Sequence, residues 1–255
     1  DDIATQFSSS CLMGTGQFCT NPGLVLLLTG PQTEKFIAPL VEKFTTAPVG
    51  TLLSSGVGKS LEKGISSLTQ AGAQVPTGGK PGGGKGHSYA NTLLRVSGAG
   101  FLKNPVALQA EAFGNESLLV IAENVAEAAH ILSELEGNLT GCIYSHSQGA
   151  DDPAYKLLAA ILRQKVGRLL NDKMPTGVAV SPALNHGGPV PATSHPGFTA
   201  GGIPASHRRS ATLPYYHGVR PPRRPTHLPD PTPPAKSRHP GTGEWQPTQC
   251  YTLTT

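Results

Sequence analysis

The sequence is short of cysteine, of aromatics and of long apolar runs, and each shortage closes off a class of protein. Its four cysteines, Cys11, Cys19, Cys142 and Cys250, stand far apart with no Cys-x-x-Cys pair. That spacing excludes a zinc knuckle or a dithiol redox centre, leaves no metal site to expect, and points to a reducing compartment, the cytoplasm. Apolar stretches such as Leu24 to Leu28 fall far short of the roughly 20 residues that a bilayer-spanning helix needs. No basic-then-apolar leader opens the chain, so no membrane partner is expected. Aromatics make up only 5% of the residues, and the basic cluster Arg208, Arg209, Arg220, Arg223 and Arg224 sits among prolines. A nucleic-acid reader would interleave such a cluster with aromatics on a folded module, so no nucleic-acid partner is expected either.

What is present divides the chain near residue 200. Fourteen of the 24 prolines follow Gly187, and residues 201–255 carry seven Lys/Arg against two Asp/Glu, so the net charge of +4 belongs to this tail. Before it, hydrophobic periodicity alternates between helix and strand. Ile3, Phe7 and Cys11 predict a helix over residues 1–13, broken by Gly14 and Gly16. The run Leu24 to Leu28, bounded by Gly23 and Gly30, reads as a strand buried on both faces. Helical spacing returns in Phe36, Ile37, Leu40, Val41 and Phe44, and again in Leu61, Ile65 and Leu68. After a glycine-rich loop from Gly78 to Gly86, strands are predicted at Leu93 to Val96 and Leu118 to Ala122, then a helix over 125–136 closed by Gly137. Thr140 to Tyr144, Pro153 to Val166 and Gly167 to Asn171 continue as strand, helix and strand. The alternation predicts an α/β fold with a mostly parallel sheet flanked by helices.

Two phosphate-loop lookalikes fail on chemistry. Gly58-Lys59-Ser60 has Leu53 where the loop needs its first Gly, and the Gly79 to Lys85 spacing is followed by Gly86 instead of a magnesium-holding hydroxyl. The segment that stays is Ser10 to Val25, where a helix ends in glycines and Cys19 precedes a buried strand. A lone loop cysteine is ordinarily a small core hydrophobe. Catalysis instead needs a reachable thiolate flanked by backbone N–H groups able to hold an oxyanion, and Gly14 and Gly16 permit that close approach. Cys11 and Cys142 are expected in the core and Cys250 in the tail.

Gly16-Gln17-Phe18-Cys19-Thr20 resembles the active-site cysteine motif of the aldehyde dehydrogenase superfamily. Glu111-Ala112-Phe113-Gly114 resembles its Glu-x-Phe-Gly-Pro cofactor motif, with Asn115 in place of proline. Pro175 to Val178 and His186 to Thr193 are similar to the branch of NADP-dependent 2,5-dioxovalerate (α-ketoglutarate semialdehyde) and fatty-aldehyde dehydrogenases. The resemblance implies that Cys19 attacks an aldehyde to form a thiohemiacetal and then a thioester, its own backbone N–H supplying an oxyanion donor. It implies that Glu111 hydrogen-bonds the ribose of NADP or NAD, that Phe113 packs against the cofactor, and that Phe18 and Thr20 line the substrate pocket.

The resemblance further implies a catalytic domain over residues 1–200, a remnant of an oligomerisation segment over 201–219, and a Pro-rich basic tail over 220–255 expected to be disordered. A homodimer or homotetramer is implied at full length. The sequence opens without Met, inside a predicted helix, and a fragment is expected; the resemblance implies that it is the C-terminal part, lacking the family's Rossmann-like cofactor domain, general-base glutamate and oxyanion-holding asparagine. Asn115 is expected to loosen its loop, since proline restricts the backbone and asparagine does not. Two alternatives stand beside the enzyme: an inactive binding or assembly module of the same fold, and a tail whose Arg220 to Pro225 stretch serves as a polyproline ligand.

Overall fold

The computed structural model describes residues 2–177 and 186–193, together with 216–217, 219–220, 223, 236–238 and 245–247. Asp1–Gly218 forms one compact unit and Val219–Thr255 a second.

The chain opens with α1 (Asp2–Leu12), whose inner face is Ala4, Phe7 and Cys11. Ile3, expected on that face, is instead 45% exposed, because the stripe runs i, i+3, i+7 from Ala4. The helix unwinds into a tight turn at Met13–Gly16, where Gly14, Thr15 and Gly16 all take positive φ. β1 (Leu24–Leu28), α2 (Pro31–Thr46) and α3 (Ser55–Gln70) follow. Pro31 stands in the first turn of α2, where its missing N–H leaves nothing unsatisfied. Ser54 caps α3 by accepting from the Val57 N–H.

Next come β2 (Gln74–Thr77), β3 (Thr92–Ser97), the short helices α4 (Gly98–Lys103) and α5 (Pro105–Leu108), and β4 (Glu116–Ala122). β2 escapes prediction because it is exposed and carries Pro76, without the apolar alternation that marks a strand. The first sheet runs β1-β4-β3-β2, with β1, β4 and β3 parallel and β2 antiparallel at one edge. The expectation that Leu24 to Leu28 is buried on both faces suits β4, not β1: β1 is an edge strand, half-buried along most of its length, while β4 lies between two neighbours.

Helices cover both faces of this sheet. Leu93 and Leu119 face Phe7, Cys11, Ile37, Leu40 and Phe44 of α1 and α2. Leu94, Val96, Leu118, Val120 and Ala122 face Leu61, Ile65 and Leu68 of α3 and Ile131 of the helix that follows β4. The alternation of strand side chains thus divides the core into two layers. Phe7 stacks on Phe44 with ring centroids 6.2 Å apart.

α6 (Val125–Glu134), β5 (Asn138–Ile143), α7 (Asp152–Lys165) and β6 (Val166–Asn171) continue the alternation, and β7 (Tyr216–His217) pairs with β6 in a parallel β5-β6-β7 sheet. α6 ends earlier than predicted, with extended Leu135 as its C-cap, so Gly137 does not serve as a left-handed cap. Glycine is needed there for another reason: a Cβ on Gly137 would fall 2.0 Å from the Pro189 carbonyl oxygen. In the second unit β8 (Lys236–Arg238) pairs antiparallel with β9 (Trp245–Pro247). Cys250 lies outside the described residues, and among these no helix is long and apolar enough to cross a membrane.

Candidate functional site

Cys19 sits in a reverse turn between α1 and β1. The Asn21 N–H donates to the Phe18 carbonyl at 3.0 Å, which closes a four-residue turn with Cys19 and Thr20 at its centre. Cys19 is exposed at this tip, and among the described residues its N–H donates to no carbonyl. An exposed thiol beside a free amide is the local arrangement that an acyl-type oxyanion requires.

The turn is held from several sides. Before it, the Gln17 amide donates to the carbonyls of Gly14 (2.9 Å) and Thr51 (3.2 Å), while its oxygen accepts from the Leu53 N–H at 2.8 Å. The Phe18 ring lies over Gly14, where an added Cβ would come within 2.6 Å of it, yet the side chain stays 41% exposed. At the tip, the Thr176 hydroxyl donates to the Thr20 carbonyl at 3.3 Å. After it, the Asn21 amide donates to the carbonyls of Gly114 (3.2 Å) and Glu116 (3.4 Å).

These last contacts join the two segments singled out in the sequence. Glu111 and Phe113 lie on the loop that leads into β4, both exposed, and Gly114 of that loop abuts Gly16. The Asn115 side chain does not loosen the loop. It is fully buried and donates to the Tyr89 carbonyl at 2.8 Å and to Asn91 Oδ1 at 2.7 Å. Asn91 in turn donates to the carbonyls of Phe44 and Ala47 at the end of α2, so side-chain hydrogen bonds do here what ring restriction does in proline.

Beneath the turn is a buried polar cluster. The Cys11 thiol donates to the Glu116 carbonyl at 3.5 Å, and burial, with the adjacent Glu116, pushes this thiol far up, leaving it inert. Burial also holds the Glu116 carboxyl well above the usual carboxylate range, and its Oε1 has no hydrogen-bond partner among the described residues. Cys142 is half-buried on β5.

One partner of Cys19 was not legible in the sequence as a site residue. His186 Nε2 stands 3.4 Å from Cys19 Sγ. An imidazole within reach of an exposed thiol is the pairing that generates a nucleophilic thiolate. The resemblance of His186 to Thr193 contained this residue, but a contact across so much intervening chain carries no local signal.

A family model described as the aldehyde dehydrogenase family matches residues 1–170. The alpha-ketoglutaric semialdehyde dehydrogenase 2 of Azospirillum brasilense is 36% identical over 208 residues, which make up 82% of this chain and 39% of that protein. The alpha-ketoglutaric semialdehyde dehydrogenase of Acinetobacter baylyi is 35% identical over 214 residues, with the same coverage of 82% and 39%. The chain therefore spans about two-fifths of the length of these curated relatives. Among solved structures, a 1-pyrroline-5-carboxylate dehydrogenase from Thermus with bound NAD superposes with a TM-score of 0.61 at 21% identity, over 73% of this chain and 35% of that one. Lactaldehyde dehydrogenase from Escherichia coli superposes at 0.58 with 23% identity, over 72% and 38%. At these identities the structural likeness establishes the fold.

Proposed function

The chain belongs to the aldehyde dehydrogenase family, and from that premise we propose that it carries the covalent centre of an enzyme that oxidises an aldehyde to a carboxylate, with Cys19 as nucleophile. The observation that carries this reading is the 3.4 Å approach of His186 Nε2 to the Cys19 thiol. In the tautomer that leaves Nε2 bare, His186 takes the thiol proton while the sulfur bonds to the aldehyde carbon. The carbonyl electron pair moves onto oxygen, and the Cys19 N–H receives the resulting oxyanion. Phe18 and Thr20 flank the reacting carbon. His186 then releases that proton to solvent; once the thiohemiacetal oxyanion has given up its hydride, the neutral imidazole takes a proton from water as the water attacks the thioester and returns it to the departing sulfur, so the acid leaves with the Cys19 thiol restored.

A nicotinamide cofactor, NADP or NAD, supplies the hydride acceptor when bound. The residues present fit it: Glu111 offers an exposed carboxylate to ribose hydroxyls and Phe113 an exposed aromatic face, on a loop that abuts the Cys19 turn at Gly16. The names of the relatives support α-ketoglutarate semialdehyde as substrate. Free Cys11, Cys19 and Cys142 suit a reducing cytoplasm, and a homodimer or homotetramer is the proposed full-length assembly.

The test is site-resolved alkylation of the chain by iodoacetamide, read by peptide mass spectrometry. Cys19 is expected to react at least ten-fold faster than Cys142, and His186→Ala to slow it by roughly 10²-fold, the lower range for a general base. Equal rates at Cys19 and Cys142 would overturn the assignment. The rival reading, an inactive binding or assembly module of the same fold, would be dismissed by saturable NADP binding to this chain.

A further inference from the structure

We infer that Asn21 is a positioning residue, which sets the approach of the Cys19 thiol to His186 by fastening the far end of the Cys19 turn to the loop carrying Glu111 and Phe113. The inference rests on the reading of Cys19 as the reactive centre and adds to it a residue that touches neither substrate nor the Cys19 thiol.

The turn around Cys19 is closed by one backbone hydrogen bond, from the Asn21 N–H to the Phe18 carbonyl. Such a bond fixes the shape of the turn but not its place against the rest of the protein. Its near end is anchored by Gln17 and by the Phe18 ring over Gly14. At its far end, between the Thr176 tie to the Thr20 carbonyl and the Ser117 tie to the Pro22 carbonyl, the Asn21 side chain shares its Nδ2 among the Gly114 carbonyl (3.2 Å), the Glu116 carbonyl (3.4 Å) and Cys11 Sγ (3.8 Å). Two of these acceptors, on Glu116 and Cys11, belong to the buried start of β4 and the buried end of α1, and the third, on Gly114, belongs to the loop that enters β4.

The Asn21 Oδ1 is buried and has no partner among the described residues, so this side chain is retained for its donor end. A buried acceptor left unpaired carries a standing penalty, which a packing role would not require. Without the amide, the turn keeps its shape and its ties through Gln17, Thr176 and Ser117 but loses its side-chain fastening at residue 21, so its tip shifts relative to His186, which sits on a separate segment. The Cys19 sulfur then leaves the 3.4 Å contact.

The experiment compares iodoacetamide alkylation at Cys19 and at Cys11 in the unaltered chain, Asn21→Ala, His186→Ala and the double variant, with circular dichroism to establish folding. Loss of the donor is expected to slow Cys19 roughly five-fold, the scale of one hydrogen bond, while Cys11 stays protected. In the His186→Ala background the same change is expected to have no effect on Cys19. A purely structural role predicts the opposite pattern, faster labelling of Cys11 and Cys19 together, and that result would overturn the inference. So would an unchanged Cys19 rate, or a five-fold loss that persists without His186. Should Asn21→Ala fail to fold, Asn21→Ser is judged by the same criteria. If Cys19 in the unaltered chain reacts no faster than Cys142, the nucleophile assignment has failed and this inference falls with it. If Cys19 is fast and indifferent to residue 21, only the present inference fails.

Discussion

Gly16 and Gly114 meet backbone to backbone: a Cβ on Gly16 would lie 2.0 Å from the Gly114 carbonyl oxygen, and Gly16 holds φ at 67°. Through this contact the cysteine turn and the Glu111–Phe113 loop become one surface, although strands β1 to β3 and helices α2 to α5 separate them in the chain.

Gly16→Ala tests that contact. A left-handed alanine costs about 1–2 kcal/mol before any clash, and here the opposing atom is backbone that cannot rotate away. A total loss of more than about 3 kcal/mol is expected, at the upper end for point substitutions. Urea unfolding measures it, and an unchanged midpoint would show that the two segments do not approach this closely.

Asn115→Ala addresses the replacement of the motif's proline. It strips the Tyr89 carbonyl and Asn91 Oδ1 of their donor in a fully buried place. The expected loss is about 2–3 kcal/mol, the penalty of buried groups left unpaired. Destabilisation below about 0.5 kcal/mol, the range of an ordinary surface change, would mean that Asn115 is not an anchor.

Glu116 makes stability depend on pH. Burial raises its pKa, so the folded chain prefers the protonated carboxyl. The stabilisation from that preference is complete below the unfolded value of about 4.3 and is lost as pH climbs toward the folded value. Glu116→Gln, which stays neutral, should therefore gain stability relative to the unaltered chain as pH rises above the unfolded value of about 4.3. Urea midpoints of the two proteins that run parallel over this rise would contradict it.

The legible parts of this protein are those whose signal is local. Leu61, Ile65 and Leu68 announce α3 because helical spacing repeats every turn, and they are its buried residues. The motif around Cys19 and the one around Glu111 are legible because each is continuous in sequence. What escaped are properties of neighbours. β1 and β4 are similar apolar runs, and only the strand order makes one an edge and the other a centre. Asn115 read as a loosened proline, because the Tyr89 and Asn91 groups that receive its hydrogen bonds cannot be seen from position 115.

By itself the sequence determined the α/β alternation, the two motifs and the family resemblance they carry, since short-range periodicity and contiguous residues suffice for these. Tertiary structure alone decided that Gly16 seats against Gly114, that Asn21 ties the cysteine turn to β4, and that His186 reaches Cys19. Each of these joins segments far apart in the chain. Their proximity is a product of sheet order and core packing, whose energies are spread over the whole fold and written at no single position.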